Sequence, residues 1–171
     1  VKEMEEDFPA LFSLLEAKDD ECIHNGVYAM GSMVESTEVR QSLIGLGCMK
    51  AIVKILPSAS IKTKRACGYV FSVLAEYREH HADLSDSGAL QSVVDLAGLV
   101  DLECQLYGAF ALVFLATNAE FQVPLVKMGA VRYLVTMMST ESEHRHYAGL
   151  ALLKLADNFE NHIQIAEEGG I

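Results

Sequence analysis

The chain has 171 residues, half of them hydrophobic, with 13 lysines and arginines against 24 aspartates and glutamates, giving a formal net charge of −11. That apolar content excludes a disordered chain, and the length suffices to bury one substantial core. The acidic balance excludes general nucleic-acid binding, and the longest apolar run, about 11 residues from Tyr107 to Thr117, is too short to insert directly into or span a bilayer.

Taken in chain order, the elements repeat. The acidic cluster Glu3, Glu5, Glu6 and Asp7 reads as surface charge, and Pro9 stands near a helix start. The segment "NGVYAMGSMV" from Asn25 has helical apolar spacing. A short helix, "EVRQSLIGLG", then ends at Gly47, and "CMKAIVKIL" follows it up to Pro57. The segment "ACGYVFSVLA" from Ala66 is a longer helix of about 16 residues with its polar start. The same succession recurs, with glycines at Gly47, Gly88, Gly129 and Gly169, spaced 41, 41 and 40 residues apart. The long segments begin at Asn25, Ala66, Tyr107 and Tyr147, with the same 41, 41 and 40 spacing.

Two columns in one register define a three-helix unit copied along the chain. Glycine at the end of each first helix suits a left-handed turn. The second helix buries positions such as Ile52, Val53 and Leu56, or Val131, Leu134, Val135 and Met138. Thr140 with Glu143 has the spacing of a capping box for the third helix of its unit. Small residues recur within the third helices, at Gly26, Cys67, Gly108 and Ala148 and at Ala29, Val70, Ala111 and Ala151, and predict close helix packing. Pro124 falls within a first helix and predicts a kink or a late start there.

Chemistry-bearing motifs are few. Cys22, Cys48, Cys67 and Cys104 contain no C-x-x-C pair and sit in apolar stretches, which predicts buried free thiols in a cytosolic protein. Cys22 and Cys104 fall two units apart, roughly 20 Å in a stack of helix layers, beyond disulfide reach. His144 and His146 form an H-x-H whose members point apart on a helix. His80 and His81 are adjacent. No metal, cofactor or catalytic constellation is expected, and the chain reads as non-enzymatic.

This pattern resembles the armadillo repeat. The likeness covers nearly the whole chain as units 6–36, 37–77, 78–117 and 118–159, with a partial unit at 160–171. It implies an all-α, right-handed α-solenoid, a superhelix of three-helix units whose third helices line a concave groove. No single unit buries its apolar face, so the core runs along the stack. Ile171 stands at the opening of a second helix, which leads us to expect a further repeat or cap.

In peptide-binding members of that family each third helix carries a tryptophan and, four residues on, an asparagine that pairs with an extended peptide backbone. The matching columns here are Tyr28, Tyr69, Phe110 and Leu150, then Ser32, Val73, Phe114 and Lys154. The amide ladder is absent, which argues against extended-peptide binding of that kind. His24, Arg65, Leu106 and His146 lie one turn back, and Glu21, Lys62, Glu103 and Glu143 further back. Glu35, Glu76, Thr117 and Asp157 lie past the asparagine column. A partly aromatic groove floor with acidic edges is therefore predicted, interrupted by a basic patch of Lys62, Lys64 and Arg65. The aromatic row reads either as partner anchors or as packing between third helices, and the acidic columns either as a binding edge or as a solvated face.

The function this implies is a protein-interaction scaffold. Its expected partner groove comprises Tyr28, Ser32, Glu35, Lys62, Arg65 and Tyr69, continued by Val73, Glu76, Phe110, Phe114, Lys154 and Asp157. The chain is also similar to short armadillo-only adaptors of apicomplexan organelle surfaces. That likeness implies a cytosolic rhoptry-surface location, acylation of an N-terminal stretch and recruitment of a myosin motor and other proteins. No Met-Gly with neighbouring cysteines is present in these residues. The rival reading is an importin-like or catenin-like receptor that holds basic linear peptides between acidic edges.

Overall fold

The structure, a computed structural model, describes residues 8–140 and 143–170, and every regular element among them is helical. The acidic cluster Glu3, Glu5, Glu6 and Asp7, the loop residues Glu141 and Ser142, and Ile171 lie outside the described residues.

A helix pair comes first, α1 (Phe8–Leu15) and α2 (Asp20–Met33). Three triplets follow: α3 (Thr37–Gly45), α4 (Cys48–Ile55) and α5 (Ile61–Ala75); α6 (His81–Asp86), α7 (Ala89–Ala97) and α8 (Leu102–Leu115); α9 (Ala119–Lys127), α10 (Ala130–Met138) and α11 (Glu143–Ala156). A last short helix is α12 (His162–Glu167). The long helices α2, α5, α8 and α11 form one row in which each packs along the next.

Local chemistry explains the boundaries. The step from first to second helix passes through Gly47, Gly88 and Gly129 at φ of 87°, 82° and 91°, and Gly169 holds the same conformation at 79°. A side chain at such a φ is strained, so the glycine column is a geometric requirement. The long helices start at polar caps. The Asp19 carboxylate accepts from the Cys22 N–H, the Ser60 hydroxyl from Thr63 and the Asp101 carboxylate from Cys104. The Thr140 hydroxyl donates to the Met137 carbonyl at 2.6 Å; the capping box expected of Thr140 and Glu143 spans Glu141 and Ser142, which lie outside the described residues. Pro124 does not delay its helix. α9 begins at Ala119, capped by Asn118, and continues through Pro124. Proline there removes only the bond to the carbonyl of Glu120, a residue open to solvent.

The second helices present one apolar face each. Ile52 of α4, Val93 and Leu96 of α7, and Val131 and Leu134 of α10 belong to a single buried cluster that extends from Phe8 to Ile165. Each such aliphatic side chain contributes about 1.5–3 kcal/mol on burial. Cys48, Cys67 and Cys104 are buried within it, and burial pushes each thiol up to about 12; Cys22 is half-buried, and all four are free.

A polar device also repeats, and the sequence reading missed it. Each long helix ends with a carbonyl that has no partner inside the helix. Arg40 Nη1 donates to the Val34 carbonyl at 2.9 Å, and His81 Nε2–H to Ala75 at 2.7 Å. Gln122 Nε2 donates to Ala116 at 3.0 Å, and His162 Nε2–H to Ala156 at 2.8 Å. Each donor stands six residues past its acceptor, at the same place in successive units. Arg40, His81 and Gln122 are buried. An unpaired carbonyl at these sites would cost about 1–3 kcal/mol.

Glycines also set helix spacing. A Cβ on Gly108 would meet the Ala97 backbone nitrogen at 2.6 Å, so α8 lies against α7 with no room for a methyl group. A Cβ on Gly31 would meet the Tyr69 ring at 2.9 Å, and one on Gly68 would meet Tyr107 at 3.1 Å. Those rings thus rest on glycines of the preceding long helix.

Two substitutions of one chemistry should have opposite signs. Gly108→Ala must displace backbone and is expected to destabilise the protein by about 1–3 kcal/mol. Gly149→Ala meets only the flexible end of Met138, no nearer than 3.6 Å, and should stabilise by about 0.5–1 kcal/mol through helix propensity. Urea unfolding of both variants measures this.

Candidate functional site

The row of long helices encloses two adjacent wells. The first lies among α2, α5 and α8 and has a volume of about 440 Å³. The second lies among α5, α8 and α11 and has a volume of about 500 Å³.

Six of the residues expected in the groove line the first well: Tyr28, Ser32, Glu35, Lys62, Arg65 and Tyr69. Val73, Glu76 and Phe110 line the second, and Glu35 and Tyr69 border both. Phe114, Lys154 and Asp157 line neither. Phe114 packs on the Phe110 ring with centroids 5.0 Å apart, and Lys154 pairs with Asp157 at 3.7 Å along its own helix.

The expected basic patch is not an open cationic surface. Lys62 Nζ binds Glu21 on the preceding helix at 2.9 Å. Arg65 reaches forward to Asp101 at 2.6 Å, through Nε and Nη2 together, and to Glu103 at 3.3 Å. The 41-residue repeat explains this, since it places position 62 beside position 21 and Arg65 beside the cap of the next long helix.

The aromatic row is packed as well as accessible. Tyr69 meets Tyr107 edge to face at 5.8 Å, and Phe110 meets Tyr147 edge to face at 5.1 Å. Tyr28, by contrast, is 65% exposed. The Tyr69 hydroxyl donates to the Glu35 carboxylate. That bond, with burial, pushes the Tyr69 hydroxyl up to about 12. Tyr107 is raised too, chiefly by burial and secondarily by the Glu103 charge.

The sequence puts Glu103 and Glu143 on the acidic edges of the groove and Leu106 one turn before the aromatic column, but marks Tyr107 and Tyr147 only as the first residues of repeated segments. The signal was present. Tyr107 and Tyr147 head two of the repeated long segments, and the structure turns both rings into the second well. Among the described residues no group of histidine, cysteine and carboxylate side chains is arranged to hold a metal ion, and no helix is long and apolar enough to cross a membrane.

No protein-family model matches the sequence, and no curated protein matches it. Solved structures do match. A computationally designed armadillo repeat protein for modular peptide recognition superposes with a TM-score of 0.86 at 26% identity, over 94% of this chain and 70% of that one. Another designed armadillo repeat protein gives 0.83 at 27%, over 93% and 69%. A third, in complex with the peptide (KR)4, gives 0.83 at 24%, over 94% and 70%. The fold is therefore an all-α, armadillo-like solenoid.

Asp101 links the fold to the wells, because it caps α8 and holds Arg65. The Arg65 guanidinium and the Cys104 N–H draw its carboxyl down to about 2 from an ordinary 3.8. A depressed carboxylate contributes stability that is complete above its ordinary value and is lost as pH falls through the folded one. Asp101→Asn keeps a capping side chain but loses the charge. Urea unfolding should show wild type more stable than Asp101→Asn at neutral pH, with the difference shrinking as pH falls from about 4 to about 2.

Proposed function

We propose that this protein is a non-enzymatic interaction scaffold that receives partner side chains in the wells between its long helices. The observation that carries this reading is the presence of two side-by-side wells, one repeat apart, walled by half-buried aromatic rings and rimmed by carboxylates. Aromatic anchors with a polar rim are the composition of protein-binding surfaces. The similar designed proteins support it, since one is made for peptide recognition and another holds a basic peptide.

The partner is a folded or helical surface more readily than an extended basic strand. Ser32, Val73, Phe114 and Lys154 offer no repeating amide to a peptide backbone. The carboxylates Glu21, Asp101 and Glu103 are already engaged by Lys62 and Arg65, so the first well has few of them to offer a run of lysines and arginines. The importin-like reading draws on the free carboxylates of the second well only. The narrower reading, an adaptor on an organelle surface such as the rhoptry that recruits a myosin motor, rests on the resemblance of short armadillo-only chains.

Affinity capture from cytosol tests this with three proteins: wild type, Val73→Arg in the groove, and Glu120→Arg on the exposed first helix α9. Circular dichroism melts establish that each is folded. The expected result is a set of partners lost with Val73→Arg and kept with Glu120→Arg. Partners indifferent to Val73→Arg would overturn the scaffold reading. A motor among the groove-dependent partners carries the narrower reading, and its absence from them contradicts it.

A further inference from the structure

The two wells are copies of each other one repeat apart, so they can be compared position by position. Tyr28, Ser32 and Glu35 of the first become Tyr69, Val73 and Glu76 of the second. Glu103 and Tyr107 become Glu143 and Tyr147. The differences fall on the groups that satisfy the carboxylates. In the first well Glu103 is met by Arg65 at 3.3 Å. The residue in the place of Arg65 one repeat on is Leu106, which has no charge to give Glu143. In the first well Glu35 accepts from the Tyr69 hydroxyl. The residue in the place of Tyr69 is Phe110, which has no hydroxyl to give Glu76.

Of the three carboxylates that line the second well, Glu35 keeps the Tyr69 hydroxyl, whereas Glu76 and Glu143 have lost the donor that their counterparts possess. Among the described residues neither Glu76 nor Glu143 has an ion-pair partner. What stands between them is aromatic. Ala66 of the first well is replaced by Tyr107, which joins Tyr69, Phe110 and Tyr147 around the cavity. Their edge-to-face contacts turn ring faces in different directions, and a ring face attracts a cation.

We infer that the second well is a receptacle for a single cationic side chain, an arginine or lysine of the partner, which takes the place that the chain's own Arg65 holds one repeat earlier. This deepens the scaffold reading and rests on it. It also separates this groove from one that reads a run of basic residues in register, because the neighbouring well already contains its cation. The net charge of −11 makes two copies of this chain repel each other, which favours a different protein as the occupant.

The test is a heteronuclear NMR titration of the whole chain. The probes are short glycine–serine–alanine peptides with one central residue: arginine, lysine or the neutral isostere citrulline. The expected result is that both cationic peptides shift resonances of α5, α8 and α11, with citrulline about tenfold weaker or worse. Leu106→Arg, which supplies the missing guanidinium internally, should abolish binding. Glu76→Gln with Glu143→Gln should do so without adding bulk, and is decisive if Leu106→Arg does not fold. Equal binding of citrulline overturns the cation receptacle, as does retention of binding by the double glutamine variant, a response confined to the first well, or no response to any peptide at millimolar concentration. Those results leave the scaffold reading to the capture experiment, which fails independently, when partners ignore Val73→Arg.

Discussion

Each long helix must end, reverse and hand the chain to the next unit without leaving its last carbonyls bare inside the protein, and the rest of the structure depends on how that is done. The solution is the same at every turn: a side chain six residues on donates back to the carbonyl. Three chemistries fill the four positions, a guanidinium at Arg40, an imidazole at His81 and again, exposed, at His162, and an amide at Gln122. What is constant is a donor of suitable reach. Arg40 adds a second attachment, with its guanidinium 3.4 Å above the centre of the Tyr77 ring. A positive group at a helix C-terminus is further favoured by the helix dipole. With the turn fixed, the long helices succeed one another at a constant register, and positions about 41 residues apart face the same surroundings.

That constancy gives the chemical differences between units their meaning. The −11 charge is not spread evenly over the groove. Around the first well Lys62 and Arg65 bind Glu21, Asp101 and Glu103, so carboxylates and cations there answer one another. The Lys62–Glu21 and Arg65–Glu103 pairs are half-exposed, and each is worth at most about 1 kcal/mol, whereas the Asp101 carboxylate is largely buried. Their larger effect is on which surface remains charged. No cation lines the second well, the rings are more numerous, and Glu76 and Glu143 have no ion-pair partner among the described residues. A groove built from near-identical modules thereby acquires one chemically distinct position.

Much of this was legible in the chain itself. The glycine column appears as four left-handed turns, because only glycine takes that conformation without strain. The long-helix column appears as the row that walls the wells. The carbonyl latch was illegible, because arginine, histidine and glutamine share no letter and resemble one another only as donors. The pairing of Lys62 and Arg65 was hidden for a related reason. Their partners are 36 to 41 residues away, so the sequence shows the cations together but not the carboxylates that meet Lys62 and Arg65. The seats that Gly31 and Gly68 provide for Tyr69 and Tyr107 follow from contact between helices, which no local spacing encodes.

The account stands on the second well being an empty counterpart of the first. A crystal of the protein soaked in arginine amide tests that most directly. The expected density is one guanidinium among α5, α8 and α11, within hydrogen-bond reach of Glu76 or Glu143 and against the face of Phe110 or Tyr147. Density in the first well alone, or a second well that stays clear of the cation at saturating soak, would contradict it.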